Sequence, residues 1–104
     1  MSQSARRPIE REELIVKLRG VLPWLRESYG VSKLWLFGSY ARGTARQRSD
    51  VDLLVEFEHV PTLFRFIELE QNLSDLFGVK VDLVMKTALK PAIGRRILSE
   101  VIQI

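Results

Sequence analysis

Asp50 and Asp52 flank Val51 at the head of the run Val51-Asp52-Leu53-Leu54-Val55-Glu56-Phe57, and few folds accept that pattern. An apolar run of this length, bounded by polar residues, reads as a strand buried on at least one face. Side chains alternate along a strand, so Asp50 and Asp52 project to one side while Val51 and Leu53 enter the core. Their Cα atoms stand about 7 Å apart, near enough for both carboxylates to reach one ion or to bracket two. Aspartate is disfavoured in strands and costly beside a core unless it is paired or bound to metal. The run therefore asks for a sheet that presents a cation-seeking site at one end.

The rest of the chain supplies that sheet. Val31–Phe37 is a second strand-like run, closed by Gly38, and Lys80–Met85 is a third, with Val81 and Leu83 facing one way and Lys80, Asp82 and Val84 the other. Glu10–Tyr29 reads as a helix on the recurrence of Leu14, Leu18, Val21, Leu22 and Leu25, with Pro23 expected to kink or split it and Gly30 to end it. Thr62 is placed to N-cap a helix whose apolar face is expected to carry Leu63, Phe66, Ile67, Leu73, Leu76 and Phe77, with Gly78 as its left-handed C-cap. Ile93, Ile97, Leu98 and Val101 mark an amphipathic helix over Ala92–Val101, and the polar stretch 39–49 holds a helical turn at Ser39–Arg42. The order helix, strand, turn, strand, helix, strand, helix predicts an α/β (α+β) domain over residues 10–104, a small sheet of three or more strands backed by helices. Residues 1–9 read as a flexible N-terminal arm.

A chain of 104 residues has material for one core and leaves little for a second lobe. No window is apolar enough to span a bilayer, and Ser2–Glu13 holds no apolar segment of the secretory kind, so a cytoplasmic location without a membrane partner is expected. The absence of cysteine agrees, and it removes disulfides and thiolate metal sites. The net charge of +3 is spread over Arg6-Arg7, Arg42–Arg48 and Lys86–Arg96 instead of forming a stripe, so direct nucleic-acid binding is not expected.

Asp82 repeats on the third strand what Asp50 and Asp52 do on the second. If those strands are neighbours, three carboxylates converge, and their mutual repulsion disfavours full ionisation without a cation. An all-oxygen ligand set without His or Cys suits Mg²⁺, which takes one or two carboxylates and completes its shell with water and phosphate. Gly38-Ser39 supplies the complementary half: a glycine lets backbone approach an oxyanion, and N–H groups at the start of a helical turn, with a serine hydroxyl, suit terminal phosphates. Arg42 and Ser49 are further candidates for nucleotide contact. A nucleoside triphosphate held between turn and metal would present its α-phosphate to a hydroxyl, with pyrophosphate leaving.

Gly38-Ser39, ten residues, then Asp50-Val51-Asp52 resembles the signature of the DNA polymerase β-like nucleotidyltransferase superfamily. Within it, the FGSYARG and SDVDLLV wording and the tail from Val81 resemble the minimal nucleotidyltransferase (MNT) antitoxins. The resemblance implies a polymerase β-like fold with a small mixed sheet, and transfer of AMP from ATP to a tyrosine hydroxyl of a HEPN-family ribonuclease toxin, as in type VII-like toxin–antitoxin pairs. It matches Gly38 and Ser39 to the phosphate turn, Asp50 and Asp52 to the ligands of two Mg²⁺ ions, and Asp82 to the third ligand or the base. An antitoxin that only binds its toxin, and an antibiotic-modifying nucleotidyltransferase, are the alternatives; little chain follows Asp82 for the second. Tyr40 is expected to pack, Trp24 and Trp35 to be core or interface aromatics, His59 a loop residue, and the apolar stretch 101–104 a partner or dimer contact.

Overall fold

The computed structural model describes residues 9–46 and 49–104. Most of the expected arm, with Arg6 and Arg7, and the loop residue Arg48 lie outside the described residues. Ile9 packs against the core.

Helix α1 (Arg11–Tyr29) lays Leu14, Ile15, Leu18, Leu22, Leu25 and Tyr29 on the sheet and ends at Gly30, whose φ of 71° is left-handed. Pro23 neither splits nor stops it. Its ring leaves the Arg19 carbonyl without a helical donor, but both residues lie on the exposed face, where water can serve that oxygen. Strand β1 (Val31–Phe37) leads into the short helix α2 (Gly38–Arg42), and strand β2 (Val51–Phe57) follows the polar loop. Thr62 caps helix α3 (Leu63–Phe77) by accepting the Arg65 N–H, and Gly78 closes it at φ 69°. Strand β3 (Val81–Met85), a 3₁₀ turn at Lys86–Ala88 and helix α4 (Pro91–Leu98) come next.

The sheet has four strands in the order β3-β2-β1-β4, the fourth being the short β4 (Ile102–Gln103). β1 runs antiparallel to β2 and β4, and β2 parallel to β3, so the sheet is mixed. The terminal stretch expected as a partner or dimer contact also pairs within the chain, at the edge of the sheet: Gln103 and Ile102 pair with Trp35 and Leu36, and Ile104 N–H donates to Leu34 O.

One face of the sheet carries the core. Leu34, Leu36, Val51, Leu53, Val55, Val81 and Leu83 meet Leu14, Leu18 and Leu25 of α1 and Leu69, Leu73 and Phe77 of α3, all nearly or fully buried. Each such side chain contributes about 1.5–3 kcal/mol relative to exposure. The face expected for α3 is rotated from the observed one, because Leu63 (74%), Ile67 (54%) and Leu76 (51%) are exposed. On the opposite sheet face Leu54 and Trp35 stand across from each other and are also buried, with the Lys86 ammonium 5.1 Å from the indole ring centroid. Among the described residues no helix is long and apolar enough to cross a membrane.

Candidate active site

The register brings the motif residues into one row. Phe37, the last residue of β1, pairs with Asp52, and Asp52 pairs with Asp82 on β3. Asp50 precedes β2 by one residue, and Val51 and Val81, pointing the other way, are fully buried. Alternation therefore puts all three carboxylates at the ends of their strands on the face away from the helical core.

Gly38 is tied to this row more tightly than a phosphate turn requires. Its φ is +73°, and a Cβ built on it would fall onto the Asp52 carboxylate, overlapping Oδ2 and lying 2.9 Å from Cγ. The Asp52 carboxylate thus occupies the volume in which any other residue would carry its side chain. Glycine is needed here for space as well as for backbone freedom. Helix α2 then turns the chain away and closes at Gly43 (φ 76°), where Thr44 N–H reaches back to Ser39 O at 2.9 Å. Tyr40 is buried in the core as expected and anchors the turn from below.

The electrostatics call for a cation. The Asp52 carboxyl is pushed above the usual carboxylate range, first by its partial burial and then by the charges of Asp82 and Asp50, while the Arg42 guanidinium opposes the rise. Lys80 Nζ stands 4.0 Å from Asp50 Oδ2 and 3.8 Å from Asp82 Oδ1, so an ammonium already answers part of that demand. Among the described residues no three His, Cys, Asp or Glu side chains are gathered round a single point in this conformation. The donors are nonetheless hard oxygens on one face, half-exposed at Asp50 (40%) and Asp82 (42%). They fit Mg²⁺, with water and phosphate completing the shell.

Because the Asp52 pKa is raised on folding, the stability linked to this group is present below its ordinary value and is lost as pH rises through the raised one. With divalent cations chelated, Asp52→Asn is expected to melt above the unsubstituted chain at neutral pH. The gap should close as pH falls below about 4, the ordinary range for aspartate. A gap of equal size at every pH in thermal unfolding would contradict this origin.

Of the remaining expected residues, Arg42 lies close enough to act on Asp52. Ser49 is engaged in its own loop: its Oγ accepts the Arg46 N–H at 2.7 Å, and its own N–H donates to Arg46 O. Reasoning from sequence placed Lys80 on the Asp82 face but assigned it no part. It also passed over Arg11, whose Nη1 donates to Ala41 O at 3.1 Å and ties the start of α1 to the end of α2. Nothing local to Arg11 in the sequence announces that contact.

The chain is similar to known nucleotidyltransferases. The model of the nucleotidyltransferase domain family matches residues 17–104. The protein adenylyltransferase MntA of Thermococcus cleftensis is 52% identical over 80 residues, covering 77% of this chain and 81% of that protein. A solved structure described as a minimal nucleotidyltransferase superposes with a TM-score of 0.79 at 38% identity, over 90% of this chain and 95% of that one. A toxin–antitoxin structure with AMP-PNP gives a TM-score of 0.67 at 25% identity, over 91% and 72%.

Proposed function

We infer the function from one premise: the chain belongs to the nucleotidyltransferase domain family, and within it to the minimal nucleotidyltransferases. It is read as an enzyme of the protein adenylyltransferase type, serving as the antitoxin of a toxin–antitoxin pair. The substrate is ATP, the partner a HEPN-family toxin, and the acceptor a tyrosine hydroxyl of that toxin. The observation that carries this reading is the row Gly38, Asp52, Asp82 with Asp50 beside it. A protein that only masked its toxin would not need three mutually repelling carboxylates at one polar end of its sheet.

In this reading the acceptor oxygen attacks the α-phosphorus of ATP, the bond from that phosphorus to its bridging oxygen toward the β-phosphorus breaks, and pyrophosphate leaves. Asp50, Asp52 and Asp82 would hold Mg²⁺. The metal, when bound, would neutralise charge on the phosphates and on the departing pyrophosphate. The Gly38-Ser39 turn receives terminal phosphate on its N–H groups and the Ser39 hydroxyl, and Arg42 adds a positive charge beside them. Asp82, on the outermost strand of the row, is read as the third of these ligands, the acceptor proton then leaving to water; the alternative role for it is the base that takes that proton.

The test is intact mass spectrometry of the cognate toxin after incubation with this protein, ATP and Mg²⁺. A gain of one or more AMP units on the toxin, lost when Mg²⁺ is chelated, is the expected result. Neutralisation of the toxin without any adduct would overturn the enzymatic reading and leave the chain a binding antitoxin.

A further inference from the structure

β3 is an edge strand, and an edge strand leaves every second N–H without a partner in the sheet. The inward set is identified by Val51 N–H donating to Lys80 O at 2.9 Å, so Lys80, Asp82 and Val84 bond to β2 while Val81 and Leu83 point their N–H groups outward. Those two outward donors are not left to water. Val81 N–H donates to Ser74 Oγ at 2.9 Å and Leu83 N–H to Glu70 Oε2 at 2.8 Å, both acceptors being side chains of α3. The Ser74 hydroxyl gives its own proton to Glu70 O at 3.0 Å, which aims a lone pair at Val81. Spacing makes the match: residues four apart on a helix rise about 6 Å, and residues two apart on a strand about 6.6 Å. α3 thus runs along the free edge as a substitute strand built from side chains.

The two bonds sit on either side of Asp82. We propose that Glu70, with Ser74, is the positioning residue of the active site, holding β3 in the register that sets Asp82 opposite Asp52. The inference rests on the reading of Asp82 as a metal-site carboxylate. Neither Glu70 nor Ser74 is asked to touch nucleotide or metal. Among the described residues the only backbone pairing of β3 is with β2, and loss of its outer bonds loosens its edge on both sides of the residue that the site requires, while Val81 and Leu83 keep it on the core. The expected consequence is a weaker metal site in a protein that remains folded.

The experiment measures calorimetrically the Mg²⁺ concentration that half-saturates binding of the α,β-methylene analogue of ATP, which cannot release pyrophosphate and needs no toxin. Amide hydrogen exchange at Val81 and Leu83 is followed in parallel. Glu70→Leu and Ser74→Ala are each expected to raise the Mg²⁺ requirement about fivefold, the equivalent of one net hydrogen bond, and to lose protection at Leu83 and Val81 respectively. Glu70→Gln keeps an acceptor oxygen and is expected to restore both readouts. A merely structural role would lower melting temperature and leave the Mg²⁺ requirement of the folded fraction unmoved; that outcome overturns the proposal. If Glu70→Leu does not fold, Ser74→Ala decides by the same criterion. Asp82→Asn separates the two readings. If it leaves the Mg²⁺ requirement unchanged, the role of Asp82 fails and this inference with it; if it raises the requirement while Glu70→Leu and Ser74→Ala do not, positioning alone is wrong.

Discussion

Asp50→Ala/Asp52→Ala is expected to remove adenylyl transfer, by at least about a thousandfold, while leaving a folded chain that still binds its partner. The size follows from what the carboxylates are asked to supply: a bound divalent ion contributes several kcal/mol of transition-state stabilisation, and about 4 kcal/mol is three orders of magnitude in rate. Folding should survive because neither carboxylate is in the core. Asp50 is 40% exposed, and Val51 and Leu53, which face inward, are untouched by the change. Relief of repulsion among Asp50, Asp52 and Asp82 should even raise the metal-free melting temperature at neutral pH, since those charges already push the Asp52 carboxyl upward. The measurements are intact mass of the toxin and thermal unfolding of the variant. Undiminished transfer would take both residues out of the chemistry, and an unfolded variant would mean that they are structural.

Gly38→Ala is expected to be nearly as damaging, for a reason unrelated to phosphate. A left-handed backbone costs an alanine about 1–2 kcal/mol. That cost is shared by Gly30 (φ 71°) and Gly78 (φ 69°), around which a Cβ would meet nothing within 4 Å. At Gly38 the new methyl group falls on the Asp52 carboxylate, which must move. Gly30→Ala and Gly78→Ala are therefore expected to lower the melting temperature by several degrees and keep full adenylyl transfer. Gly38→Ala should show a similar fall in stability and lose transfer by at least about a hundredfold, the usual scale when a reacting group is misplaced by an ångström. Equal loss of activity in all three variants would show that stability alone is being read.

Several elements were legible residue by residue. β1 and β2 lie where the apolar runs put them, Thr62 caps α3, and Gly30 and Gly78 are left-handed as their positions after apolar helices demand. In each case the cause is local: alternation, a hydroxyl next to free N–H groups, a backbone angle that only glycine takes freely. The misreadings share a different cause. Leu63, Ile67 and Leu76 belong to an apolar arc of α3 wider than the sheet beneath it, so periodicity names the arc and packing chooses which part is covered. β4 is two residues long and has no period to detect.

The site divides along the same line. By itself the sequence determined that Asp50 and Asp52 would project to one side of their strand, that Asp82 would stand on the polar side of another, and that a glycine-led turn would follow the first strand, because side-chain alternation and turn chemistry are set by neighbouring residues. Only the tertiary structure decided that β2 and β3 are parallel neighbours in the register Asp52 to Asp82, that Asp52 fills the space over Gly38, and that Glu70 and Ser74 close the edge beside Asp82. Those relations join residues far apart in the chain, and their energies come from burial and hydrogen bonding between elements, for which no short stretch of sequence carries a signal.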